Sequence, residues 1–303
     1  MSSNHDVPNV TVTDMYNERM PDLNLTYVVN DLSTNNMSSY YILPQDLKCK
    51  KTESSNFSVL HYNIRSLCKK FDLFQLFLNS LNEEISVIGL CETWLSDPLI
   101  SLVHLDDYAV VNNNRVNKHG GGVALYVRNN LQFKVINDLT CMTEAIESIF
   151  IEIEIASGKN ILVGEIYRPP NGNITDFTDI FYSFCDSPYF QNKHCFIMGD
   201  FNIDLLHYHE KPACQDFLDT MISNSFTPCI TKPTRIFGVT TTLIDNVFTN
   251  IHGYLDMGII VSDLTDHFPV FDLIGSIYFI HHKNKTEHNT AHSKLTIVWK
   301  IMK

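Results

Sequence analysis

The sequence predicts an α/β domain, a four-layered α/β sandwich in which two mixed β-sheets pack face to face with helices outside. Three observations predict it. Apolar strand-like runs are numerous, only three stretches at helical spacing are set between groups of them, and no repeat period links the groups. The 303 residues suffice for a large core, since a chain of that size buries roughly three-quarters of its unfolded surface. Hydrophobic residues at 44% and charged residues at 18% exclude wholesale disorder, collagen and coiled coil. No apolar run approaches the ~20 residues of a membrane-spanning helix.

Taken in order, residues 1–56 are polar and Asn/Ser-rich without a sustained period, which predicts a flexible leader holding at most one short strand. The texture changes at Phe57, and the domain is expected over 57–275. Phe57 to Ile64 reads as a strand, Phe71, Phe74, Leu78 and Leu81 as the stripe of an amphipathic helix, and Ile85 to Leu90 as a buried strand. Tyr108 to Val111, Val123 to Arg128, Ser148 to Ile155 and Asn160 to Tyr167 read as neighbouring antiparallel strands. In the third, Ile149, Ile151, Ile153 and Ile155 alternate with Phe150, Glu152 and Glu154, which predicts one buried and one partly wet face. Thr175 is the expected N-cap of a helix carrying Phe177, Ile180, Phe181, Phe184 and Cys185. A strand at His194 to Met198 runs into Gly199-Asp200, and a third helix follows Pro212. Strands at Thr242 to Phe248, Gly258 to Val261 and Phe268 to Leu273 complete the pattern. Residues 276–303 read as a C-terminal extension that stops before any reverse transcriptase signature.

Charge and cysteine usage narrow the function classes. The balance of 22 basic and 34 acidic residues, −12 overall, argues against nucleic-acid binding through general basicity, so a polyanion must be held locally with a cation bound first. Eight cysteines without CxxC or zinc spacing read as reduced thiols of an intracellular protein, and the N-terminus lacks a signal peptide. Gly120-Gly121-Gly122 has no following Lys-Ser/Thr and reads as a hairpin turn, not a P-loop. His207-Tyr208-His209 reads as a solvated loop, and Trp94 as a packing anchor.

Polar residues that end or interrupt apolar strands mark the candidate site: Asn63, Glu92, Tyr167, Asp200 with Asn202, Asp245, and Asp266 with His267. If Glu92, Asp200 and Asp266 converge, each like-charged pair ~4 Å apart costs about 4 kcal/mol at an effective dielectric of 20. A hard divalent cation relieves this, and an all-oxygen set suits Mg²⁺ or Mn²⁺. His267 is better read as hydrogen-bonded to Asp245, in its cationic form near a phosphate, than as a zinc ligand. Arg115, Arg168 and Arg235 read equally as phosphate contacts or plain surface positions.

The motifs Asn63-Ile64-Arg65, Cys91-Glu92-Thr93, Ile166-Tyr167-Arg168-Pro169, Gly199-Asp200-Phe201-Asn202, Leu243-Ile244-Asp245 and Thr265-Asp266-His267-Phe268-Pro269 occur in the order of the endonuclease/exonuclease/phosphatase superfamily, which the chain resembles from Phe57 to Ile274. Glu92-Thr93-Trp94-Leu95, Gly120 to Val127 and Pro233-Thr234-Arg235 make it most similar to the endonuclease domain of non-LTR retrotransposons. The resemblance implies that Glu92 holds the metal, assisted by Asn63 and Asp266. It implies that Asp200 orients or deprotonates the attacking water, that Asn202 positions water or phosphate, that His267 paired with Asp245 neutralises phosphoryl charge, and that Tyr167 donates a hydrogen bond. DNA is the implied substrate, a reverse transcriptase domain the implied partner in a full-length element, and the nucleus the implied place of action. An abasic-site repair nuclease is the nearest alternative, and a catalytically unused fragment that only binds DNA is the alternative of a different class.

Overall fold

Alternation along Phe57–Asn63 decides how the first sheet is covered. Phe57 and Val59 join the core between the sheets, while Leu60 and Tyr62 face outwards onto a separate apolar cluster. The helix Leu67–Ser80 covers that outer face with Leu67, Phe74 and Phe77. The computed structural model describes residues 11–23, 39–47, 57–116, 119–154, 160–191, 193–251 and 255–274. The expected C-terminal extension lies outside them.

The first sheet orders its strands Tyr40–Ile42, Leu255–Ile260, Val270–Ile274, Phe57–Asn63, Val87–Cys91, Val123–Arg128 and Tyr108–Asn113. The second runs Thr227–Pro228, Asp245–Thr249, His194–Asp200, Ile161–Tyr167, Glu147–Ile153 and Phe133–Val135, with Cys141–Met142 also paired to Glu147–Ile153. Helices Ile174–Cys185 and Pro212–Ser223 carry Phe177, Phe181, Phe217 and Leu218 into the core on the second sheet's side. Phe177 and Phe217 meet Phe201, and Phe201 meets Phe248 edge-on at 5.2 Å. The expected sandwich of two sheets with helices outside is therefore the observed fold.

Register positions the chemistry. Phe57–Asn63 runs parallel to Val87–Cys91, with Asn63 opposite Cys91. Ile161–Tyr167 runs parallel to His194–Asp200, with Tyr167 opposite Asp200, and Asp245 begins an antiparallel strand opposite Asp200 on its other side. Four strand ends thus open on the same edge of the sandwich, where loops can present side chains without breaking sheet hydrogen bonds.

Several sequence expectations are corrected. The leader is not merely flexible in its described parts. Thr11 and Asp14 form a capping box on the helix Val12–Arg19, and Tyr40–Ile42 pairs with Gly258–Ile260 as an edge strand. The Tyr41 hydroxyl donates to the Pro233 carbonyl at 2.7 Å. The helix was not expected, whereas a short strand was, and that strand borrows its partner from residues far along the chain. The strand Glu147–Ile153 has no wet face. It lies inside the second sheet, Phe150 packs on Phe184 and Phe190, and the Glu152 carboxylate is held by Lys134 at 2.8 Å and Lys193 at 2.7 Å. The N-cap at Ile174–Cys185 is Asn173, not Thr175, because the Asn173 side chain accepts from the Thr175 amide at 2.8 Å.

Candidate active site

Asn63 links the two sheets at the open edge. Its Nδ2 donates to Glu92 Oε1 and to Asp200 Oδ2, each at 2.9 Å, and the residue is fully buried. Asp200 Oδ1 accepts from the Asn202 amide at 2.9 Å, and Asp200 Oδ2 lies 4.0 Å from His267 Nδ1. His267 Nδ1 in turn faces both oxygens of Asp245, at 2.9 and 3.0 Å. Glu92, Asn63, Asp200, His267 and Asp245 therefore form one continuous line across the edge.

The loops carrying these groups are conformationally strained. Among the described residues six non-glycines have positive φ, and five of them, Arg65, Ser66, Glu92, Trp94 and Asn202, follow the strand ends at Asn63, Cys91 and Asp200. Left-handed backbone costs a non-glycine roughly 1–2 kcal/mol, and such strain concentrates where a site needs it. Glycine serves the same edge on the other side of Glu92. Gly121 and Gly122, both left-handed, accept from the Trp94 and Thr93 amides and so pin the Glu92 loop.

Burial and partners set the charges. Burial opposes charging of His267, but the Asp245 charge and hydrogen bond, with Asp200, outweigh it and raise its pKa. Burial likewise works against ionised Asp245, yet His267 and His61 hold its carboxyl well below the usual range. Asp200 goes the other way. Burial and the Asp245 charge push it up to about 7, against the pull of His267, Asn63 and Asn202. Tyr167 is pushed far up, by burial first and then Glu92, so its phenol stays protonated. Two carboxylates on neighbouring strands thus differ in proton affinity, the pattern by which sites divide acid and base roles.

The donors present suit a hard cation. Asn63 Oδ1 is buried without a hydrogen-bond partner and neighbours the Glu92 carboxylate, which lines a cleft of about 440 Å³ with Trp94, Arg115, Gly121, Tyr167 and Asn171. An amide oxygen and a carboxylate beside open space fit Mg²⁺ or Mn²⁺. Asp200, Asp245 and His267 also bring ligand atoms within 4.8 Å of one another, but hydrogen bonds already join His267 to Asp245.

The residues that match a family model over 60–267 carry the description Endonuclease/Exonuclease/phosphatase family. The chain belongs to the endonuclease/exonuclease/phosphatase family. A search of curated proteins returns no match. Solved structures share the family fold at low identity. The endonuclease domain of TRAS1, a telomere-specific non-LTR retrotransposon, is 14% identical with a TM-score of 0.56, covering 73% of this chain and 98% of that one. The AP endonuclease LMAP from Leishmania major is 12% identical with a TM-score of 0.60, covering 82% and 97%. The Xenopus laevis APE2 catalytic domain is 17% identical with a TM-score of 0.56, covering 71% and 91%.

In this family member the structure brings Asn63, Glu92, Tyr167, Asp200, Asn202, Asp245 and His267 to the edge, and treats the remaining expected residues differently. Asp266 does not turn to Glu92. Its oxygens accept from Arg65 Nη1 at 2.6 Å and Arg235 Nε at 2.8 Å, and these bonds hold its pKa low against the opposing effect of burial. Arg168 turns inwards and is not a surface position. It is 2% exposed, and its guanidinium donates to the carbonyls of Phe201, Gly172 and Asn202 at 2.6–2.7 Å. Its role is to clamp the Asn202 loop onto the end of the Tyr167 strand, and Asn202 Nδ2 returns a bond to the Arg168 carbonyl at 2.8 Å. Arg115 is committed to buried Glu147, and Arg235 is committed to Asp266. Trp94 is half-buried against His119, with ring centroids 4.9 Å apart, at the cleft and not in the core. His207 pairs with Glu210 and Asp204 on the surface.

Sequence reasoning missed three groups at or directly behind the site. Thr234 Oγ1 donates to Asp245 Oδ2 at 2.7 Å. His61 and Glu165 are fully buried behind it. Each precedes a site residue by two positions, Asn63 and Tyr167 respectively, so strand alternation puts each on the site residue's face. A charged residue two before a strand-end polar group was the available signal.

Proposed function

We propose that this chain is a divalent-metal-dependent DNA endonuclease that cuts one phosphodiester and leaves a 3′ hydroxyl, as in retrotransposon target-primed reverse transcription. One observation carries the reading: hydrogen bonds join Glu92, Asn63 and Asp200, a hydrogen-bonded His267–Asp245 pair stands 4.0 Å from Asp200, and all five lie at an open sheet edge beside a cleft. Hydrolysis forms a bond from a water oxygen to phosphorus and breaks the bond to O3′. Asp200, whose proton affinity burial raises towards neutrality, takes the water proton, with Asn202 and Asn63 fixing the carboxylate. His267, held charged by Asp245, neutralises phosphoryl charge, and the Tyr167 phenol donates to a phosphate oxygen. Glu92 and Asn63 would hold Mg²⁺ or Mn²⁺, which supplies Lewis-acid stabilisation of the phosphate oxygens.

The hairpin Arg235–Phe237 and Thr240–Thr242 supports a duplex substrate. Arg235 bridges to His267, while Phe237 is 69% exposed and Val239 fully exposed, so an apolar tip stands beside the site where a groove can receive it. In an intact element the 3′ hydroxyl would prime a reverse transcriptase domain, with the nucleus as the place of action.

The test is conversion of supercoiled plasmid to open circles by purified protein with Mg²⁺. The Asp200→Ala variant is expected to lose on the order of 10³-fold in rate, and equal nicking by the two would refute the reading. Faster cleavage of an abasic duplex than of an intact one would move the assignment to the repair branch.

A further inference from the structure

His61 and Glu165 have no part in the steps above, yet they meet the site through its most constrained carboxylate. His61 projects from the first sheet, and its Nδ1 lies 2.7 Å from Glu165 Oε1 while its Nε2 lies 3.3 Å from Asp245 Oδ1, both acceptors on the second sheet. All three side chains are fully buried. Glycine makes room for the acid: a Cβ at Gly89 would collide with the Glu165 carboxylate. Stability alone does not account for this arrangement, because buried ion pairs are often no more stable than apolar residues of similar volume.

The arrangement around Asp245 shows what it accomplishes. His267 Nδ1 sits almost equidistant from the two Asp245 oxygens, so any rotation of that carboxylate swings the imidazole that lies 4.0 Å from Asp200. Thr234 restrains Oδ2 and His61 restrains Oδ1. We infer that His61 is a positioning residue: gripped by Glu165, it locks the Asp245 carboxylate from across the inter-sheet layer and thereby fixes the ring of His267. This rests on the nuclease reading of the same site, and it adds a second tier of contacts of the kind that orients primary groups elsewhere.

Two substitutions separate positioning from packing. His61→Gln places an amide N–H near the Nε2 position and keeps a donor for Asp245, whereas His61→Asn reaches only the Nδ1 position and serves Glu165 alone. His61→Asn is expected to lower kcat about 10–100-fold, the usual range for supporting contacts. KM should stay within about twofold, and His61→Gln should recover kcat to within about fivefold of the parent. Long-range ¹H–¹⁵N imidazole spectra give a readout that needs no turnover: the His267 resonances move in His61→Asn and stay in His61→Gln. Should His61→Asn not fold, Glu165→Met, which keeps the length of the side chain but removes the acceptor that grips His61 Nδ1, must shift the same resonances. Equal kcat in the two His61 variants, a loss confined to KM, or unmoved His267 resonances would overturn the inference. A parent protein that nicks no better than Asp200→Ala refutes the nuclease reading instead, and the His267 resonances then still decide whether His61 positions that ring.

Discussion

Asp245 and Asp272 are the same residue type, equally buried, and stand in the layer between the sheets, yet their proton affinities shift in opposite directions. Asp245 receives His267, His61 and Thr234, and those partners keep it ionised against burial. Among the described residues Asp272, four residues into a run that begins at Phe268, has only the Cys229 thiol, at 3.7 Å from Oδ2, as a side-chain partner, and its Oδ1 has no hydrogen-bond partner. Burial pushes it up to about 7, and Asp256 adds to the rise. The difference teaches that burial by itself does not tell a functional carboxylate from an incidental one. The donors that converge on it do, because a thiol is too weak a donor to replace the water that each carboxylate gave up.

The comparison can be broken most strongly at the active edge. His267→Ala removes the charged partner of Asp245 and, on the proposed mechanism, the cation that would face the phosphate, and kcat for plasmid nicking is expected to fall on the order of 10²–10³-fold. A fall under tenfold would show that Asp245 is held for reasons other than catalysis. Asp272→Asn acts on stability instead. The folded state keeps the Asp272 proton up to about pH 7 while the unfolded chain releases it near 3.8. Folding therefore takes up a proton between those values, and this carboxyl makes stability fall as pH rises from about 4 to about 7, with no further loss above. Asn removes the penalty, so the rise in urea midpoint should be larger at pH 8 than at pH 5, with nicking unchanged. A uniform shift at both pH values would contradict it. The smallest effect belongs to Thr234→Val, which deletes one of three donors to Asp245 and is expected to cost about 1–3 kcal/mol in chemical denaturation.

Much of the architecture is legible in the sequence for a physical reason. A strand buried on both faces reads as an apolar run, and a covering helix reads as apolar residues three and four apart, so Val123–Arg128, Ile161–Tyr167 and the Phe177, Phe181, Phe184 stripe need no tertiary knowledge. Short strands such as Phe133–Val135 escape, and Tyr40–Ile42 was expected only as an unplaced strand of the leader, because three residues carry no period. The candidate site is legible to the same depth. Asn63, Glu92, Asp200 and Asp245 are polar groups at strand ends, visible as interruptions of apolar runs.

The sequence by itself determined where the longer strands run, where polar groups end them, and that an all-oxygen set was at hand. Only the tertiary structure decided what each side chain does with its hydrogen bonds. Arg168 became a clamp because its fork met three carbonyls, and Asp266 became the partner of two arginines because Arg65 and Arg235 reach it first. His61 and Glu165 became the back of the site because the two sheets close over them. Residue type and local period constrain one strand at a time, whereas a hydrogen bond is short and directional and joins whatever groups the packing of two sheets brings within about 3 Å.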